Sequence, residues 1–182
     1  MMSDLEILLK RNQAFASTYA GKQPIMPRFN TMVLTCVDAR IDPAHFMKLN
    51  LGEALVFRNA GARVTADLEL ELGILWTMAQ KMGGDRFQGF ELAIVHHTDC
   101  GFERLANPEL AGLLSKKLAV SPDQIAEMAV ADHIGRIQTD IERLRHSSIV
   151  PDTLTVSGHI YDVDSGLIQQ IIAPSRLEEQ AD

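Results

Sequence analysis

Three short segments, Thr31-Met32-Val33-Leu34-Thr35, Ala54-Leu55-Val56-Phe57 and Phe90-Glu91-Leu92-Ala93-Ile94-Val95-His96, are apolar at most positions, and apolar residues recur at helical spacing between them. Runs this short and this rich in β-branched residues read as buried strands. Strands alternating with helices build an α/β fold with a mostly parallel central sheet flanked by helices. Ligands of such sheets bind beyond the carboxyl ends of the strands.

The remaining segments fit that frame. Ser3 or Asp4 can cap a first helix carrying Leu5, Leu8, Leu9 and Phe15, and the polar, proline-bearing stretch from Gly21 to Asn30 sets it apart. Residues 1–30 are expected to form a helical arm that reaches a second copy of the chain. Asp42-Pro43 opens a helix running through Phe46, Met47 and Leu49 to Gly52, and Thr65 caps one bearing Leu68, Leu72, Leu75, Ala79 and Met82 before Gly83-Gly84. Ser121-Pro122-Asp123-Gln124 is a capping box, predicting one long helix through Ile125, Met128, Ile134, Ile137, Ile141 and Leu144. Leu154, Val156, Gly158 and Ile160 alternate with polar residues, and the turn Asp164-Ser165-Gly166 leads to Leu167, Ile168, Ile171 and Ile172. This predicts a C-terminal antiparallel hairpin, with 177–182 a frayed polar tail. Residues 1–182 read as a single domain.

A net charge of −7 disfavours a nucleic-acid backbone or an anionic membrane as the main partner. The start, Met1-Met2-Ser3-Asp4-Leu5-Glu6, lacks the basic and apolar regions of a signal peptide, so a soluble cytoplasmic protein is expected. In that compartment the two cysteines stay reduced, which favours ligation or catalysis over a disulfide.

Both cysteines lie in polar segments that follow apolar runs: Cys36-Val37-Asp38-Ala39-Arg40 and His97-Thr98-Asp99-Cys100-Gly101. With strand order 2-1-3 the two segments emerge from neighbouring strands about 4.8 Å apart. Cys36, His97 and Cys100 then supply two thiolates and an imidazole, a set suited to Zn²⁺ that leaves one position for water. Asp38, on the same side of an extended segment, can reach the metal, while Arg40 can pull its carboxylate away in a bidentate pair. Asp38 and Arg40 are therefore the expected catalytic pair: off the metal, Asp38 would orient a zinc-bound hydroxide.

Other readings compete. Four closed ligands including Asp38 would make a noncatalytic zinc-binding or sensing module, and two buried thiols need no metal at all. A cysteine-phosphatase loop needs a longer Cys-to-Arg spacing. Strand alternation turns His96 away from His97, giving it a structural role; His45, His133 and His146 read as surface or helix-face residues. Asp99 reads as a turn residue, and Arg58 equally as an ion-pair partner.

These segments resemble the β-class carbonic anhydrases. The family's Cys-x-Asp-Ser-Arg is matched by Cys36 to Arg40 with Ala39 in place of serine, and its His-x-x-Cys-Gly by His97 to Gly101. Gly52-Glu53-Ala54 with Val56, Arg58, Asn59 and Ala60, and the hairpin from Gly158 to Gly166, are also similar to the family. The resemblance implies that Cys36, His97 and Cys100 bind zinc, with Asp38 an alternative fourth ligand gated by Arg40. It further implies that Arg58, Asn59, Ala60 and Gly61 line a pocket where carbon dioxide is hydrated reversibly to bicarbonate and a proton. A homodimer or dimer-based oligomer is implied as well. The compact length suits the small microbial branch, which also resembles hydrolases of carbonyl sulfide and carbon disulfide.

Overall fold

The computed structural model describes residues 2–83 and 89–179. Its strands are β1 (Thr31–Cys36), β2 (Leu55–Asn59), β3 (Glu91–His97), β4 (Thr155–Tyr161) and β5 (Ile168–Arg176). They form one sheet in the order β2-β1-β3-β4-β5, parallel from β2 to β4, with β5 returning antiparallel along β4. The expected fold class, the 2-1-3 order and the C-terminal hairpin are all present. β1, flanked on both sides, is buried at every position after Thr31, which accounts for its unbroken apolar character. Its one buried hydroxyl is satisfied: Thr35 Oγ1 donates to the Val95 carbonyl at 3.0 Å.

The helices are α1 (Asp4–Ala16), α2 (Pro43–Phe46), α3 (Ala66–Gly83), α4 (Pro108–Leu118), α5 (Pro122–Glu127) and α6 (His133–Arg145). Ser3 caps α1 in a full capping box, and Thr65 caps α3 by accepting from the Leu68 amide. Leu68, Leu72, Trp76 and Ala79 of α3, with Ile137, Ile141 and Leu144 of α6, bury a sheet face made by Met32, Leu34, Leu92, Ile94 and Val156. Each fully buried leucine or isoleucine contributes roughly 1.5–3 kcal/mol. Gly158 lets α6 lie close on β4, since a Cβ there would sit 2.8 Å from Ile137 Cγ2. The helix ending at Gly83-Gly84 finishes at Gly83; Gly84 lies outside the described residues.

Three expectations are corrected and one helix is added. The long helix from Ser121 to Leu144 is two helices, because the chain turns Ala129 and Val130 into the core instead of continuing the stripe. Asp132 then caps α6 by accepting from the Gly135 amide at 3.0 Å. The helix from Asp42 is a single turn; Lys48, in the left-handed region at φ 56°, follows it and prevents extension to Gly52. α4 was not foreseen, although Asn107-Pro108 has the cap-then-proline form and Asn107 Oδ1 accepts from the Glu109 and Leu110 amides. The expected frayed tail is anchored at its start, where Leu177 is buried and its amide donates to the Leu154 carbonyl at 3.1 Å. Residues 180–182 lie outside the described residues.

One buried ion pair ties the segment after β2 to α6. Arg63 donates from Nε and Nη2 to the two carboxylate oxygens of Asp140 at 2.8 and 2.9 Å, and Asp140 is 1% exposed. Truncating one partner strands the other charge. Asp140→Ala should therefore lower stability by about 3–5 kcal/mol, read from the midpoint of urea unfolding.

Candidate metal centre

Thr35 of β1 is registered against Val95 of β3, so these parallel strands end at the same edge of the sheet. Cys36 is the last residue of β1 and His97 the last of β3; Cys100 follows at the start of the turn Gly101–Ala106. Each offers a ligand atom, and the three atoms lie within 4.8 Å of one another, all on buried residues. His97 Nδ1–H donates to the Thr98 carbonyl at 2.9 Å, which fixes the tautomer and leaves Nε2 the free donor. Nε2 is buried without a hydrogen-bond partner. A lone buried nitrogen beside two thiols fits a metal ion.

The electrostatics point the same way. The Cys100 thiol donates to the Cys36 sulfur, which outweighs burial and lowers Cys36 to about 4; His97 and the backbone amides of Asp38 and Gly61 add to the effect. The same bond, with burial, raises Cys100 well above the usual thiol range. Opposite shifts favour one thiolate and one thiol, and a divalent cation held there would displace the remaining proton. Burial opposes a charge on His97, but the neighbouring Cys36 sulfur and the Thr98 carbonyl outweigh it and raise the imidazole. Gly61 is required by its backbone: φ is 76°, and a Cβ would meet Val130 Cγ2 at 2.7 Å.

Asp38 is not one of the converging donors. Its Oδ1 accepts from Arg40 Nε at 3.0 Å and from the Arg40 amide at 2.9 Å, and its Oδ2 from Arg40 Nη2 at 2.8 Å. Those bonds hold the Asp38 carboxyl far below the ordinary carboxylate range. Arg40 also donates to Asp99, from Nη1 to Oδ2 at 2.7 Å and from Nη2 to the backbone carbonyl at 2.8 Å. Asp99 is a turn residue with φ 54°, as expected, and also the second partner of Arg40. Arg58 braces the first segment by donating to the Cys36 and Asp38 carbonyls at 3.1 and 2.7 Å; its nearest carboxylate, on Asp42, is 4.0 Å away.

Of the other residues expected to line a pocket, Asn59 is turned into its own loop, with its side chain bonded to the Arg63 amide and carbonyl. Asn59 and Ala60 border a cavity of about 470 Å³ against α5 and α6, which none of the three donors lines. Gly61 instead faces the Cys36 sulfur.

Glu103 and His133 were missed as parts of this centre. Glu103 Oε1 accepts from the Cys100 amide at 2.9 Å and lies 3.1 Å from His133 Nε2, and His133 Nδ1 is 3.3 Å from His96 Nδ1. His96 is structural, as expected: burial, with His133 beside it, pushes it down to about 3. His133 lies on a helix face, one of the two expected places, but its side chain is only 17% exposed and turns to Glu103. Cys100-Gly101-Phe102-Glu103 has capping-box spacing with cysteine at the cap, a signal that could have found Glu103; nothing local marks His133.

The carbonic anhydrase family profile matches residues 31–168, which hold all of these groups. The chain belongs to the β-carbonic anhydrase family. It is 27% identical over 163 residues to β-carbonic anhydrase 1 of Mycobacterium tuberculosis, covering 90% of this chain and 94% of that one. A crystal structure of carbonic anhydrase from Streptococcus mutans superposes with a TM-score of 0.76 at 33% identity, over 93% of this chain and 98% of that one. A carbon disulfide hydrolase of Acidianus is 24% identical over 156 residues, 73% of this chain and 72% of that protein. β-Carbonic anhydrases are metal-dependent, and Cys36, His97 and Cys100 form the site in this member that can hold the ion.

Glu103 holds the backbone of one of these residues. Glu103→Ala should weaken divalent-metal affinity about tenfold, measured by competition with a chromophoric chelator.

Proposed function

We propose that the chain hydrates carbon dioxide reversibly to bicarbonate and a proton, with Zn²⁺ held by Cys36, His97 and Cys100. The observation that carries this reading is the engagement of both Asp38 oxygens by Arg40 while three other donors converge. A closed structural site would take Asp38 as its fourth ligand; a reactive one keeps a position open. This supports the enzyme over a noncatalytic zinc-binding or sensing module. When bound, zinc supplies a Lewis acid that brings the pKa of water toward neutrality.

The chain's own residues do the rest. An ionised carboxylate only accepts hydrogen bonds, so Asp38 takes the O–H of the attacking nucleophile and turns its lone pair toward the carbon. Arg40 holds Asp38 in that posture and balances its charge. Arg58 fixes the carbonyls on either side of Val37, so the Cys36 sulfur and the Asp38 carboxylate keep their spacing.

Asp38→Asn should retain one zinc per chain by elemental analysis and lose about a hundredfold in carbon dioxide hydration, followed by stopped-flow with a pH indicator. Unchanged turnover would remove the orienting role. A wild-type chain with zinc bound and no hydration would refute the reaction.

A second reading is hydrolysis of carbon disulfide or carbonyl sulfide at the same site, favoured by the carbon disulfide hydrolase relative. Sulfide release from either substrate faster than hydration of carbon dioxide would select it.

The proposed assembly is a homodimer in the cytoplasm, where reducing conditions keep Cys36 and Cys100 as free thiols. α1 buries none of its residues in its own chain and exposes Leu5, Leu8, Leu9 and Phe15, a face suited to a second copy. Among the described residues no helix is long and apolar enough to cross a membrane. Sedimentation should give twice the chain mass of 20.1 kDa, and the double substitution Leu8→Glu, Leu9→Glu should return it to one.

A further inference from the structure

Arg40 is held from two sides. Toward β1 its Nε and Nη2 grip the Asp38 carboxylate; toward β3 its Nη1 donates to Asp99 Oδ2 at 2.7 Å and its Nη2 to the Asp99 carbonyl at 2.8 Å. The guanidinium therefore bridges the two ligand-bearing segments, fifty-nine residues apart in sequence. Arginine suits such a bridge because its planar fork offers several donors in fixed directions.

The backbone at Asp99 is shaped for this contact. With φ 54° it occupies the left-handed region, which costs a non-glycine residue roughly 1–2 kcal/mol. In that conformation one residue turns its carbonyl and its carboxylate toward the same guanidinium. A turn residue chosen only for its backbone would be as well served by glycine, whose side chain could make no second contact. The carboxylate is itself 70% exposed, so the pair adds little to global stability. Its effect is local: it sets where Arg40 rests.

We propose that Asp99 is a positioning residue, anchoring Arg40 so that Asp38 stays off the metal and the remaining coordination position stays open to small ligands. This rests on the reading of Cys36, His97 and Cys100 as the metal site. Loss of the Asp99 carboxylate frees Nη1, loosens the guanidinium and lets Asp38 compete for the metal. The residue thus acts through Arg40 and Asp38 and touches no reacting atom.

Two measurements test it without turnover. In the metal-free full-length chain, exchange of the Arg40 Nε–H with solvent, followed by NMR, reports whether the guanidinium is held on Asp38. In the cobalt-substituted full-length protein, thiocyanate titration followed through the visible cobalt bands reports access to the open position. Asp99→Ala should speed the exchange and weaken thiocyanate binding, each about two- to fivefold, the range of one exposed ion pair. Asp99→Asn, which keeps an acceptor and tolerates the left-handed backbone, should fall between wild type and Asp99→Ala in both.

Wild-type values for either measurement in Asp99→Ala overturn the proposal, as does a lowered Tm with both readouts unchanged, which marks a plain loop staple. If Asp99→Ala fails to fold, wild-type values for either readout in Asp99→Asn have the same force. Failure of the wild-type chain to hydrate carbon dioxide overturns the assigned reaction instead, and leaves both measurements on Asp99 intact.

Discussion

Parallel pairing of β1 with β3 sets everything that follows at the site. Because Thr35 is registered against Val95, the strand that ends in Cys36 and the strand that ends in His97 stop together. A register shift of one residue would turn His97 to the other face and bring His96, held neutral by burial, into its place. The register is enforced by the apolar residues alternating below it, Met32, Leu34, Leu92 and Ile94, which pack against α3 and α6. The site is thus located by the core and contributes little to holding that core together.

Beyond the strand ends the backbone has left the ladder, and side chains take over its bracing. Arg58 holds the carbonyls of Cys36 and Asp38. Thr98 is held through its amide by the Tyr161 carbonyl at 3.0 Å, while its hydroxyl accepts from the Val163 amide at 3.0 Å. Glu103 takes the Cys100 amide. Each ligand segment is therefore fixed by a residue from another segment, as expected where a metal demands defined directions from its donors. Arg40 is the member of this set that joins the two segments to each other.

Much of this was legible from residue patterns, and the boundary of legibility has a physical cause. Apolar runs of strand length gave the sheet, and the capping signals at Ser3, Thr65 and Ser121 gave helix starts, because both depend on near neighbours in sequence. Convergence of Cys36, His97 and Cys100 followed from the 2-1-3 order together with motif spacing. What stayed hidden are contacts between residues far apart whose types have common structural uses. The Arg63–Asp140 pair and the contact of His133 with Glu103 leave no local periodicity or spacing to detect. Asp99 was recognisable as a turn residue and not as a partner of Arg40, since its carboxylate crosses to the other strand's segment.

The break between α5 and α6 shows how a misread element bears on the metal centre. An uninterrupted helix from Ser121 would satisfy the apolar spacing, but it would leave no helix start at Asp132 and no capped turn presenting His133. In the structure Ala129 and Val130 leave the helical path, and Val130 both enters the core and packs against Gly61, whose amide faces the Cys36 sulfur. His133, in the first turn of α6, then reaches Glu103 and through it the backbone of Cys100. The same five-residue interruption, 128–132, thereby supports both sulfur donors, one through Gly61 and one through Glu103. Local periodicity favoured continuation; packing around the sulfurs decided against it.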